Sequence, residues 1–288
     1  MKKINISGMM LKIKVIGIGK YGIDKINYLV KNKIDFIEHV AISEENQILK
    51  DSSADIKIKL EDDSEKNIEE IKKYLKDLDV LFITSEMNDS IEEHLLFKVS
   101  EIAKDIGILT IALVSINSIN LISKGYSRVE KLKKLVDALI ISEDKHLKQP
   151  FENSDYFFRI AIKGITDLST HTGLIGLDYL DIKNALSNSG LVAIGFGEAE
   201  GENRALEATQ QALNNLSPQK SINDIRDIIL NITASKELGV NETFDVANHV
   251  RKEINKKNED DTDILFSTVE SNSLGEKLNI TIIATYKK

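Results

Sequence analysis

The chain reads as an α/β protein: a Rossmann-like parallel-sheet domain, then a long central helix, then a smaller α+β domain with a mixed sheet. Three observations predict this. Apolar runs of strand length alternate with amphipathic helices through the first half, the pattern of a parallel sheet covered on both faces. One helical stretch of several turns follows, with Gly164 in its interior. Beyond it, strands rich in Ile, Val and Thr stand beside two helices. The implied boundaries are residues 11–150, 151–172 and 173–288.

Bulk properties narrow the function. A length of 288 residues suits one large or two medium cores, and 42% hydrophobic with 29% charged residues is a globular composition. The 46 acidic residues outnumber 38 basic ones, for a net charge of −8, which opposes tracking along a phosphate backbone; no nucleic acid partner is expected. With no cysteine, thiolate metal sites and a Cys nucleophile are excluded, and the five histidines show no ligand spacing, so no metal site is expected. The amino terminus has lysines within its apolar run and lacks a secretory core, and no segment approaches the roughly 20 apolar residues of a membrane span. A cytoplasmic location is expected.

The elements follow in order. Residues 12–17 form a buried strand, and Ile23 to Lys31 a helix with apolar positions at helical spacing. Strands are expected at 36–43 and 55–60, and residues 64–78 are an amphipathic helix with Ile68, Ile71, Tyr74, Leu75 and Leu78 inward. "DVLFIT" (79–84) has the continuous apolar run of a strand buried on both faces. A helix near 90–106, a strand at 109–115, a helix near 124–135 and a strand at 137–142 repeat the alternation. After the long helix come "VAIGFGEAEGENRALEATQQALNNL", a strand running into a helix, then "IRDIILNITAS", a helix from "NETFDVANHVRKEI", and the strands "DILFSTVE" and "KLNITIIATY".

Gly17-Ile18-Gly19-Lys20-Tyr21-Gly22 satisfies G-x-G-x-x-G between strand and helix, with Glu44 or Glu45 about 20 residues on, as in dinucleotide-binding folds. Nothing downstream supplies hydride chemistry. The second half carries more specific stretches, "LIGLDYLDI" and "GEAEGENRA", in the order "GITDLSTHTGLIGLDYLDIKNAL", "AIGFGEAEGENRALEATQQAL", "ILNITAS", "EKLNITIIAT". These resemble FtsZ, the prokaryotic member of the tubulin superfamily, over about Lys12 to Thr285. The resemblance implies the FtsZ/tubulin fold: a GTPase-type domain, a central helix and an activation domain. It makes "GIGKYGIDKINYL" the first phosphate loop and implies GTP or GDP with Mg²⁺ as ligand if the pocket is functional.

By that resemblance Gly17, Gly19, Lys20, Gly22, Asp24, Glu143 and Asp155 are the nucleotide-binding positions, and Asp178 and Asp181 the catalytic pair that meets a neighbouring subunit's γ-phosphate. Several depart from the family pattern. Its first loop is almost all glycine, so that bare backbone N–H groups can approach the nucleotide, whereas Lys20 and Tyr21 stand here. Asp24 aligns with an Asn, Glu143 with another Asn, and Gly176 replaces an Asn beside Asp178. The family's GGGTGTG signature aligns with Ser85-Glu86-Met87-Asn88-Asp89-Ser90-Ile91-Glu92-Glu93, without one glycine. Asp89 with Glu92 makes a capping box there, and carboxylates about 5 Å from a phosphate oxygen repel it by roughly 3 kcal/mol at an effective dielectric near 20. The Gly-Ala-Asn-Pro loop is missing and "VSINSINLISKGYS" is short for the sugar-side loop. Asp155 and the pair Asp178 and Asp181, three apart at a helix start, fit first-turn and N-cap acids equally well. Gly201-Glu202-Asn203-Arg204 is expected to shape a turn and a helix start.

The expected function is an FtsZ-like cytoskeletal protein of cell division, with a degenerate nucleotide pocket, that self-associates or caps filaments of a complete FtsZ through longitudinal contacts. The alternative is an active GTP-hydrolysing FtsZ polymer. The chain ends at Lys288, without the family's linker and terminal peptide, so no direct membrane anchor is expected.

Overall fold

A computed structural model describes residues 11–60, 65–88, 91–116, 126–142, 153–170, 175–217, 224–235, 238–255 and 262–286. Glu143 and Asp89 lie outside them. The chain divides into two compact units, Met1–Glu143 and Asp144–Lys288.

In the first unit, β1 (Ile13–Ile18), α1 (Gly19–Lys31), β2 (Ile37–Ser43), the short α2 (Asn46–Lys50), β3 (Ile56–Lys59), α3 (Glu65–Leu75), β4 (Val80–Met87), α4 (Ile91–Ile106), β5 (Leu109–Ile116), α5 (Tyr126–Lys133) and β6 (Ala138–Ser142) alternate. The strands lie in the order β3-β2-β1-β4-β5-β6, every pairing parallel. All eight residues of β5 and all five of β6 are buried, as apolar runs must be when both sheet faces are covered. The edge strand β3 alternates, with Lys57 and Lys59 outward, charges that discourage pairing with another chain.

The second unit holds α6 (Ser154–Thr170), α7 (Tyr179–Leu186), β7 (Gly190–Ala199), α8 (Arg204–Asn214), β8 (Ile225–Ala234), α9 (Val240–Asn255), β9 (Asp263–Glu270) and β10 (Leu278–Tyr286). Its strands lie in the order β7-β10-β8-β9. β10 is antiparallel to β7 and β8 while β9 is parallel to β8, so the sheet is mixed, as the sequence predicts. Ala205, Ala208 and Ala212 of α8 and Val246, Val250 and Ile254 of α9 share one core with Ile228, Leu230, Ile280 and Ile282 of the sheet. The glycine inside α6 has a packing reason: a Cβ on Gly164 would stand 2.7 Å from Thr281 Cγ2, and Asn231 Nδ2 donates to the Gly164 carbonyl at 3.2 Å.

The helix expected over 64–78 ends at Leu75, and two further differences lie beside the glycine motif. α1 begins at Gly19, inside the glycine motif, four residues before the apolar spacing announces it. β4 runs to Met87, three residues past "LFIT", because Ser85, Glu86 and Met87 pair with Val114, Ser115 and Ile116 of β5. Ser85 and Met87 are buried there, so a stretch that reads as a polar loop is held as strand by its neighbour.

Candidate functional site

The glycine motif turns β1 into α1, and its glycines serve different needs. A Cβ on Gly17 would lie 2.4 Å from the Gly22 carbonyl oxygen, and one on Gly22 would lie 2.4 Å from that of Thr84. Both approaches are against backbone, which cannot swing aside. Gly17 and Gly22 therefore let α1 close down on β1 and β4, the packing role a glycine plays where helix meets sheet. Gly19 has φ +67, in the left-handed region, and turns the chain out of the strand.

The space over Gly19 belongs to another element. A Cβ built on Gly19 would lie 2.1 Å from Glu92 Cγ and 2.9 Å from Glu92 Cδ, so this side chain, from the first turn of α4, stands directly against the turn. Lys20 and Asp24, both predicted to be nucleotide-binding, form an ion pair at 2.6 Å one helical turn apart, and both are exposed. Tyr21 is half-buried with Lys25 Nζ 4.4 Å from its ring centre, a cation–π contact of the buried Lys25. On β4, the buried Ser85 Oγ donates to the Ile18 carbonyl at 3.3 Å, closing β4 on the end of β1. The next acid, Glu93, is buried and receives Arg128 Nη1 of α5 at 3.1 Å. Sequence reading missed this pair, since nothing local ties residue 93 to residue 128.

The remaining predicted positions belong to the second unit or fall outside the description. Glu143 is not among the described residues. Asp155 is half-buried in the first turn of α6, whose start is capped by Asn153 Oδ1 accepting from Tyr156 N at 2.9 Å. Asp178 and Asp181 come together in a reciprocal capping box at the start of α7: Asp178 Oδ1 accepts from Asp181 N at 2.9 Å, and Asp178 N donates to Asp181 Oδ2 at 3.1 Å. Arg204 of "GENRA" is a clamp. Its Nε and Nη2 donate to the Glu242 carboxylate at 2.6 and 3.0 Å, and Nη1 to the Glu276 carbonyl at 2.6 Å. Among the described residues no group of three or more His, Cys, Asp or Glu is placed to hold a metal.

Comparison with known proteins agrees with this architecture. The model of the FtsZ family C-terminal domain matches residues 190–287. A point mutant of FtsZ from M. jannaschii superposes with a TM-score of 0.81 at 26% identity, over 96% of this chain and 91% of that one. The empty FtsZ dimer from M. jannaschii superposes with a TM-score of 0.79 at 27% identity, over 96% and 88%. The chain is an FtsZ/tubulin-superfamily protein. The superfamily fold extends to TubZ of Bacillus thuringiensis serovar israelensis, in GDP-form protofilaments, with a TM-score of 0.71 at 10% identity over 96% and 84% of the chains. Residues 13–31 fold as strand, glycine turn and helix, and no described helix is long and apolar enough to cross a membrane.

Proposed function

We propose that this is a cytoplasmic FtsZ-like cytoskeletal protein of cell division that has given up guanine-nucleotide binding and acts by associating with itself or with filaments of a complete FtsZ. The observation that carries the reading is the course of β4. Within the stretch that aligns with the family's glycine loop, residues 85–87 continue β4 in register with Val114, Ser115 and Ile116 of β5. An extended backbone turns successive N–H groups to opposite sides, so these residues do not form the nest of converging N–H groups that cradles phosphates. Two further observations support it: Glu92 stands against Gly19, and Lys20 is drawn to Asp24. A triphosphate with Mg²⁺ fits this set poorly, since the Glu92 carboxylate stands where a phosphate would approach the glycine turn.

Self-association draws support from relatives of the same fold that are described as a dimer and as protofilaments. A longitudinal filament contact is heterologous, so a subunit with one competent face adds to an end and stops growth. Mixing the protein with a complete FtsZ is expected to shorten the polymers at stoichiometric amounts, read by sedimentation and electron microscopy. Unchanged polymer mass and length would count against the capping role. Calorimetric titration with GTP and GDP in Mg²⁺ is expected to show no heat. Micromolar binding would instead favour the alternative of a GTPase, in which Asp178 and Asp181 act on a neighbour's nucleotide.

A further inference from the structure

The pocket reading above leaves a physical debt at the start of α1, and this inference rests on that reading. α1 has no side-chain cap at Ile18 and no acid in its first turn. The leading N–H groups of such a helix have no intrahelical partners, and its end carries roughly half a positive charge. In a phosphate-binding protein the anion satisfies both. Here the Glu92 side chain is packed against the first residue of the helix. Other positive-φ glycines show that this crowding is not a property of the turn itself. At Gly107, Gly201 and Gly275 nothing lies within 4 Å of an added Cβ.

We propose that Glu92 is a tethered anion: from the first turn of α4 it supplies at Gly19 the negative charge that a bound phosphate would supply, so the turn keeps its shape with no ligand. Glu92 also lies in the first turn of α4, which begins at Ile91, so one carboxylate stands near two helix N-termini. Glu93 points its charge to Arg128, which leaves the two neighbouring acids with separate tasks. The consequence is functional. A subunit whose turn is held by its own side chain presents one unchanging state to a filament, where a nucleotide-binding subunit has at least two.

Four variants of the full chain test this: E92Q, E92A, G19A and the double variant G19A/E92A, followed by thermal melting. E92Q keeps the side chain's volume and removes its charge; it is expected to melt a few degrees below wild type. E92A is expected to lose at least as much, and to gain more than wild type does when sodium acetate replaces sodium chloride at equal ionic strength. G19A is expected to cost more in wild type than in the E92A background, because the new methyl meets Glu92. E92Q melting with wild type, an acetate gain in E92A no larger than that of wild type, or G19A costing the same in both backgrounds would each overturn the proposal. Wild-type titration with GTP separates the two readings. Heat there ends the pocket reading, whereas silent wild type with an unperturbed E92Q ends only this one.

Discussion

Arg204 ties three segments of the second unit together, the start of α8, the first turn of α9 and the turn before β10, through a fork that matches a carboxylate and one backbone carbonyl. Removing it leaves Glu242 half-desolvated without its partner. R204A should cost about 2–4 kcal/mol in urea unfolding, and R204K should recover little of it because an ammonium cannot reproduce the fork. The hydrogen bond from Arg204 first, then its charge, together with the Gly239 N–H, hold the Glu242 carboxyl below its usual 4.5 against the effect of burial. A depressed folded value means this stabilisation is present above pH 4.5 and is lost below it, as pH falls through the lowered folded value. R204A should therefore weaken the acid-side decline. His39 acts in a different window. Burial lowers its pKa from 6.5 despite the adjacent Asp55, so the folded chain holds a neutral imidazole that the unfolded chain protonates. Stability should fall as pH drops below about 6.5 through the lowered value, and H39N should flatten that limb, read from urea midpoints between pH 7 and 5.

At the level of elements, α1 depends on two backbone approaches that admit no side chain. G22A places a methyl 2.4 Å from the Thr84 carbonyl oxygen, which only a shift of α1 away from β4 can relieve. The expected loss is about 3 kcal/mol, the upper end of ordinary overpacking, seen as a lower unfolding midpoint. The start of α7 gives the contrasting case. D178A removes an N-cap and should cost about 1 kcal/mol, while D178N, which can still accept from Asp181 N, should cost less. The helix start at residue 178 could be read locally, because an Asp with a second acid three residues on announces a cap wherever it precedes a helical pattern. The end of β4 could not. Ser-Glu-Met has no strand signature, and its state is set by pairing with residues 114–116, a contact that local periodicity does not encode.

For the molecule as a whole, ligand linkage offers a direct measurement. A nucleotide bound at a hundredfold over its Kd would stabilise the protein by about 2.7 kcal/mol. Millimolar GTP with Mg²⁺ is expected to leave the melting temperature unchanged. That one sheet is parallel and the other mixed could be read from patterns of two and 3.6 residues that lie along the chain, whereas the strand order within each is set by pairings between distant segments. The membership in the FtsZ/tubulin superfamily was carried the same way, by contiguous stretches such as "GEAEGENRA". What those patterns leave open is the fate of each side chain after the elements pack. Glycines 17, 19 and 22 look alike as letters, yet two are spacers for backbone and one lies beneath a glutamate from another helix. Glu92 itself reads as a first-turn acid of α4, and its place at Gly19 exists only once β1 and β4 lie side by side, because that pairing brings two helix starts, remote in the chain, to the same end of the sheet.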